Sequence, residues 1–190
     1  MNKPNALTIS RMVIAPLFLL AILPVYPGHY LVAVLLFSAG ALTDAIDGKL
    51  ARKTNQVTVF GKLLDPVADK MLTTAALLAF MKLGWCSVWV LMIILTREFA
   101  VTSVRLIAAY QNVVIPANIF GKIKTVTQMS FSIIIMILAH ADVTYRIFNS
   151  IKFIQLPQLA NILLWITAVF AAVSGVIYIV QSKNLIDFKT

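Results

Sequence analysis

The chain has 190 residues, 61% of them hydrophobic and 12% charged, with a formal net charge of +9. That balance excludes an ordinary soluble globular domain, in which about a quarter of the residues are charged. At roughly 20 residues per crossing, one bundle of membrane helices uses nearly the whole length, so residues 1–190 are expected to form a single membrane domain.

Taken in chain order, apolar runs centre on Met12–Val25, Leu31–Leu42, Met71–Leu83, Val88–Leu95, Ser130–Ala141 and Leu159–Val180. They predict an all-α, polytopic membrane protein, a bundle of six transmembrane helices. The first run has the look of a signal-peptide core, but no small-residue cleavage site follows it, so it reads as a retained span. Several runs are shorter than the roughly 18 residues that mark a span unaided, so polar-faced helical segments must extend them. Breaks are expected at Pro24, Pro27 and Gly28, at Thr54–Gln56, at Gly84, around Asn112–Asn118 and at Asp142–Pro157. Cys86 has no partner for an internal disulfide and reads as a buried structural thiol. His29 and His140 stand alone near span ends, where an interfacial polar residue is the ordinary reading. Trp85, Trp89 and Trp165 read as interfacial or packing aromatics.

Six spans put both termini on one side. That face then carries Lys3, Arg11, Lys49, Arg52, Lys53, Lys62, Lys70, Arg97, Arg105, Lys122, Lys124, Lys183 and Lys189, against Lys82, Arg146 and Lys152 on the other. The basic face is the cytoplasmic one by the positive-inside rule, and it suits anionic membrane lipids. No nucleic-acid partner is expected.

Of the seven acids, Asp44, Asp47, Asp65 and Asp69 fall beside the membrane within one short stretch. An ionisable group in or near hydrocarbon costs roughly 2.5–3.5 kcal/mol or more, so it marks a functional site by default. Asp44 and Asp47 at i,i+3 share one helix face, as do Asp65 and Asp69 at i,i+4. Gly48, Ala51 and Gly61 are small residues on or near those faces and leave room for a ligand or a close helix. Pro66 removes a backbone donor and disfavours helical geometry at Asp65, so a kink or a helix restart is expected there. Three readings fit the acids by themselves. Oxygen-only ligands select hard cations such as Mg²⁺, Mn²⁺ or Ca²⁺, and two divalent ions balance four carboxylates. Buried salt bridges to Arg52, Lys62 and Lys70 are the second reading, and a cation or proton pathway is the third.

The stretch DAIDGKLARKTNQVTVFGKLLDPVADK matches the pattern DxxDGxxAR, eight residues, GxxxDxxxD without a departure. It resembles the signature of the CDP-alcohol phosphatidyltransferases. The resemblance implies a six-helix membrane enzyme, usually a homodimer, in which an alcohol hydroxyl attacks the β-phosphorus of a CDP-linked lipid and releases CMP. It also implies that Asp44, Asp47, Asp65 and Asp69 hold two divalent cations, Mg²⁺ or Mn²⁺, that Asp69 is the catalytic base, and that Asp47, Gly48, Ala51, Arg52 and Gly61 line the CDP group. Small size and compact loops fit a bacterial cell membrane, with the active site on its cytoplasmic side.

Outside the signature, PNALTISR at Pro4–Arg11, TREFAVTSVR at Thr96–Arg105 and GKIKT at Gly121–Thr125 resemble the phosphatidylglycerophosphate synthases of that family. This implies CDP-diacylglycerol as donor and sn-glycerol 3-phosphate as acceptor. Other acceptors with the same chemistry, namely inositol phosphate, serine or a phosphatidyl lipid, are the alternative within the class. A cation or proton transporter is the alternative outside it. Arg11, Arg97, Arg105, Lys122 and Lys124 are the candidate acceptor-phosphate ligands, and contacts with lipid headgroups compete with that role. Asn5 and Thr8 are candidates too, with capping of the first helix as the competing role. Glu98 reads as an ion-pair partner of Arg97. Arg97 and Arg105 lie about two turns apart on similar faces of one helix, whereas Lys122 and Lys124 diverge if their segment is helical. The segment Gln111–Ile119 carries no pattern that matches the family.

Overall fold

A computed structural model describes the backbone of residues 3–54, 59–111, 113, 119–150 and 154–183, and the side chains of residues 8–43, 67, 68, 70–111, 113, 119–148 and 154–183. Within them the chain is helical throughout: α1 Lys3–Ile22, α2 His29–Thr54, α3 Val59–Lys82, α4 Val88–Tyr110, α5 Ile119–Tyr145, the single turn α6 Ile147–Ser150, and α7 Leu156–Lys183. Each of the six apolar runs falls mainly on one of the six long helices, although the first, Met12–Val25, passes the end of α1 at Ile22. The helices outrun those runs by several turns. Beyond Leu42, α2 continues to Thr54, beyond Leu95 α4 continues to Tyr110, and α5 begins well before Ser130. α3 is one helix through Pro66, so the backbone does not restart at Asp65.

The turns form where the sequence supplies the chemistry. At the end of α3, Gly84 takes φ +77°. Its N–H donates to Met81 O at 3.1 Å and the Trp85 N–H to Phe80 O at 2.8 Å. These are the paired bonds of a Schellman cap, and the Phe80 and Trp85 rings, 5.9 Å apart, supply the apolar contact that accompanies it. Ser87 then caps α4, its hydroxyl accepting from the Trp89 N–H. Gly28, at φ +79°, closes the turn before α2. There the His29 ring is buried, with Nδ1 2.7 Å from Tyr26 O and its centroid 3.8 Å from that of Tyr30. His29 is thus a packed structural residue at a helix start.

The helices pack as two sets of three. α1 lies against both α2 and α3, and α7 lies against both α4 and α5; the sets meet through α2 on α5 and, more sparsely, α3 on α4. α4 and α7 run parallel. The Ser87 N–H donates to Asn161 Oδ1 near the start of both, and Arg97 and Arg105 lie on Gly175 and Tyr178 further along. In the first set Ile14, Gly40 and Leu72 meet at one level. Phe18, Phe37, Phe80, Ile94, Ile135 and Leu164 fill the core together with alanines such as Ala33, Ala76 and Ala171.

Polarity runs inside out. Arg11, Lys124, Gln128, Ser132, Thr167 and Ser174 are buried, while Leu20, Leu35, Trp89, Phe99, Val126 and Val176 are exposed. An outer surface this rich in large apolar side chains is suited to lipid rather than water. By length and composition α5 and α7 can each cross a membrane, and α1 and α2 carry shorter apolar stretches, Thr8–Ile22 and His29–Thr43.

Candidate active site

The four aspartates stand on two helices of the first set. Asp44 and Asp47 lie in α2, and Asp65 and Asp69 in α3. Their side chains, with those of Gly48, Ala51, Arg52, Gly61 and Asn5, lie outside the described residues. Backbone register still places the two pairs. Gly40 packs on Leu72, and a Cβ there would come within 2.6 Å of Leu72 Cδ2, so α2 and α3 approach closely at this level. Asp44 is one turn beyond Gly40, and Asp69 is three residues before Leu72. Because α2 ends and α3 begins on the same side of that contact, both pairs fall at the same end of the set.

The described half of the site is cationic and belongs to the second set. Glu98 Oε1 accepts from Arg97 Nη1 at 3.0 Å and from Lys124 Nζ at 2.5 Å, which joins α4 to α5. The Arg97 stem crosses α7 at Gly175, where a Cβ would stand 2.8 Å from Arg97 Cγ. Its Nη2 lies over Gly121 of α5, 3.4 Å from where a Cβ would be. Two glycines therefore seat one arginine. Lys124 is 4% exposed. A buried lysine without a counter-ion is costly, and Glu98 supplies that counter-ion. Lys70, next to Asp69, donates to Thr102 Oγ1, and the Thr102 hydroxyl in turn donates to Glu98 O at 2.7 Å. This chain ties the aspartate helix α3 to the cation helix α4 across their sparse contact. Beside it, a groove of about 710 Å³ runs between α1, α3 and α4, apolar except near Lys70, Thr74, Thr102 and Ser103.

The sequence-derived candidates divide as follows. Arg97 and Lys124 are brought together. Arg105 shares the α7-facing side of α4 with Arg97, as the eight-residue spacing implies, but is exposed and lies over the Tyr178 ring at 6.0 Å. The helical course of α5 sends Lys122 outward and Lys124 inward, so Lys122 does not join the pair. Thr8 and Arg11 are buried one turn apart on α1. Thr8 does not cap α1: the helix begins at Lys3, which leaves Thr8 in its second turn. Glu98 does pair with Arg97, and it also binds Lys124, which the sequence reading missed. Gly121 and Gly175 were missed as well; a glycine interrupting the apolar run of α7 is the signal that pointed there. Most of Gln111–Ile119 lies outside the described residues.

Comparison with known proteins follows the same lines. The sequence model of the CDP-alcohol phosphatidyltransferases matches residues 1–173. A Bacillus subtilis protein named CDP-diacylglycerol–glycerol-3-phosphate 3-phosphatidyltransferase is 35% identical over 100% of this chain and 98% of its own. One of the same name from Rickettsia bellii is 34% identical over 96% of each chain. A Mycobacterium tuberculosis protein named probable phosphatidylglycerophosphate synthase is 44% identical over 67% of this chain and 62% of its own.

Proposed function

Because the chain belongs to the CDP-alcohol phosphatidyltransferase family, we propose that it transfers the phosphatidyl group of CDP-diacylglycerol to sn-glycerol 3-phosphate, giving phosphatidylglycerophosphate and CMP. The observation that carries the acceptor is the convergence of Arg97 and Lys124 on Glu98, within bonded reach of the helix that bears Asp69. Two fixed cations suit an alcohol that carries its own phosphate, whereas an uncharged alcohol offers them no anion and free serine only a singly charged carboxylate offset by its own ammonium.

In this reading Asp69 accepts the proton of the attacking hydroxyl while its oxygen forms a bond to the β-phosphorus. The bond from that phosphorus to the CMP oxygen breaks, and CMP leaves. Asp47, Gly48, Ala51, Arg52 and Gly61 line the CDP group, with small residues admitting the nucleotide and Arg52 meeting a phosphate. Four carboxylates on two helices that meet at Gly40 and Leu72, with no His or Cys among them, are a donor set for hard cations, so Asp44, Asp47, Asp65 and Asp69 would hold two Mg²⁺ or Mn²⁺ ions. Bound there, such ions polarise the phosphate oxygens and acidify the attacking hydroxyl. Arg11, Arg97, Arg105, Lys124, Asn5 and Thr8 make up the acceptor side, with Arg97 and Lys124 at its centre and the outward-facing Lys122 left to lipid headgroups.

The wider reading is a single domain over residues 1–190 that crosses a bacterial cell membrane six times as a homodimer, with both termini and the site cytoplasmic. Its test supplies the purified protein with CDP-diacylglycerol, Mg²⁺ or Mn²⁺, and a panel of acceptors, with a chelator-treated control, and measures CMP and lipid product. Glycerol 3-phosphate should support turnover that the chelator abolishes. No CMP with any acceptor would defeat the enzyme reading, and turnover with serine or inositol phosphate alone would reassign the substrate.

A further inference from the structure

Glu98 is an acid placed among the cations of a site meant for an anion, which needs a reason. One carboxylate oxygen takes both Arg97 Nη1 and Lys124 Nζ, from α4 and α5. The Arg97 and Glu98 side chains are 12% and 19% exposed, so water does little to screen the group. Without the carboxylate, two cations would face each other in a nearly dry junction and the mobile one would leave. Arg97 cannot be that one, because its stem is seated on Gly175 and its head on Gly121. Lys124, a flexible chain, can.

We infer that Glu98 is the positioning residue of the acceptor-phosphate site, holding Lys124 beside Arg97 so that both cations already surround the point where a phosphate monoester docks. This role rests on the acceptor reading above. Charge supports it: Arg97 and Lys124 share the one Glu98 carboxylate, so among the described side chains of this junction positive charge is left over. A phosphate monoester carries about −1.5 to −2 near neutral pH. Satisfaction of polar groups supports it as well. Among the described residues Arg97 Nε and Gln128 Oε1 are buried with no hydrogen-bond partner. The first is a spare donor for a phosphate oxygen. The second, one turn from Lys124 on the same face of α5, is a spare acceptor for a hydroxyl. Glu98 is itself anchored, since its carbonyl accepts from Thr102, which Lys70 of α3 also reaches.

A carboxylate that merely competed with phosphate would, when neutralised, tighten acceptor binding; a positioning carboxylate gives the opposite sign. The test uses the full chain in detergent, as wild type, Glu98→Gln, Glu98→Asp, Lys124→Met and the Glu98→Gln/Lys124→Met double variant. Binding of glycerol 3-phosphate and of inorganic phosphate is measured by calorimetry, and KM for each substrate by CMP release. Loss of one charge-assisted contact should weaken acceptor binding and raise its KM about tenfold to a hundredfold in Glu98→Gln. The KM for CDP-diacylglycerol should stay within about twofold, since that substrate gains nothing from the pair. Glu98→Asp, which keeps the charge and shortens the reach, should fall between. The double variant should be little worse than Lys124→Met alone, because Glu98 acts largely through Lys124. Tighter or unchanged acceptor binding in Glu98→Gln, equal losses for both substrates, or multiplying effects in the double variant would each overturn the inference. Should Glu98→Gln not fold, an unchanged acceptor KM in Glu98→Asp overturns it. Wild-type binding of glycerol 3-phosphate without turnover would defeat the proposed reaction and leave the role of Glu98 standing, whereas no wild-type binding of either phosphate removes both.

Discussion

Gly40→Ala separates stability from activity in a way that tests the backbone placement of the aspartates. A Cβ at residue 40 would stand 2.6 Å from Leu72 Cδ2 and 3.4 Å from Ile14 Cγ2, about 1 Å inside the usual 3.5–4 Å carbon contact. Leu72 is 4% exposed and packed in the core, so little space exists for it to turn away. Overpacking of this kind costs about 1–3 kcal/mol, while alanine in place of glycine in a helix returns about 1 kcal/mol. Net stability should therefore fall by no more than about 2 kcal/mol. Activity should fall much further. The overlap is relieved by moving α2 from α3, and Asp44 and Asp69 stand one turn or less from the contact; a misplacement of about 1 Å costs up to 10²-fold in rate. CMP release at saturating substrates gives kcat, and a thermal midpoint in detergent gives stability. Adding Leu72→Val removes the obstructing methyl for about 1 kcal/mol and should restore most of the rate. Wild-type kcat in Gly40→Ala, or no recovery in the double variant, would refute the argument that this contact sets the spacing of the two aspartate helices.

Three further outcomes follow from the same geometry. Gly175→Ala places a Cβ 2.8 Å from Arg97 Cγ, so the acceptor KM should rise severalfold with kcat and the CDP-diacylglycerol KM little changed; an unaltered acceptor KM would show that Arg97 is not held there. Asp69→Asn should keep the fold and lose about 10²–10⁴-fold in turnover, the usual worth of a general base, and near-normal CMP release would remove it from that role. Burial pushes the Cys86 thiol up to about 11, with a backbone bond to Leu91 pulling the other way. Since the thiolate is the reacting species, native protein at pH 7.5 should be alkylated about 100-fold more slowly than unfolded protein. The native rate should climb as pH approaches 11, and equal native and unfolded rates at pH 7.5 would contradict the burial.

The elements were legible where the chemistry is local. Gly84 announces the end of α3 because a left-handed residue is what a Schellman cap requires, whereas the cap at Ser87, equally local, was passed over in the sequence. The apolar runs located the six long helices but not their lengths, since α2, α4 and α5 continue as helices through the polar segments that carry Asp44, Asp47, Arg105 and Lys124. Helical periodicity alone separated Lys122 from Lys124 and aligned Arg97 with Arg105. It could not supply partners from elsewhere in the chain. Lys124 reaches Glu98 across 26 residues, and Gly175 serves Arg97 from another helix altogether. Capping, the role that competed with ligand contact at Thr8, is excluded because the helix begins at Lys3, before its apolar stretch does, which pattern reading cannot see. Pro66 does not restart the helix, since α3 runs unbroken from Val59 to Lys82 through a residue whose local preference is to stop one.

The two halves of the site stand on different helix sets, and this bears on how acceptor choice can vary. Every residue of the aspartate signature falls on α2, on α3 or between them, whereas Arg97, Glu98, Arg105 and Lys124 belong to α4 and α5 and rest on α7. The described tie between the aspartate helix and the cation helices is a single polar chain, Lys70 to Thr102 to the Glu98 carbonyl. In the proposed reading, a change of acceptor alcohol thus requires new side chains on the second set and on α1, where Thr8 and Arg11 stand, provided that chain keeps its length. The nucleotide chemistry on α2 and α3 can stay as it is. The same division explains why the signature alone names the reaction while leaving the acceptor to residues outside it.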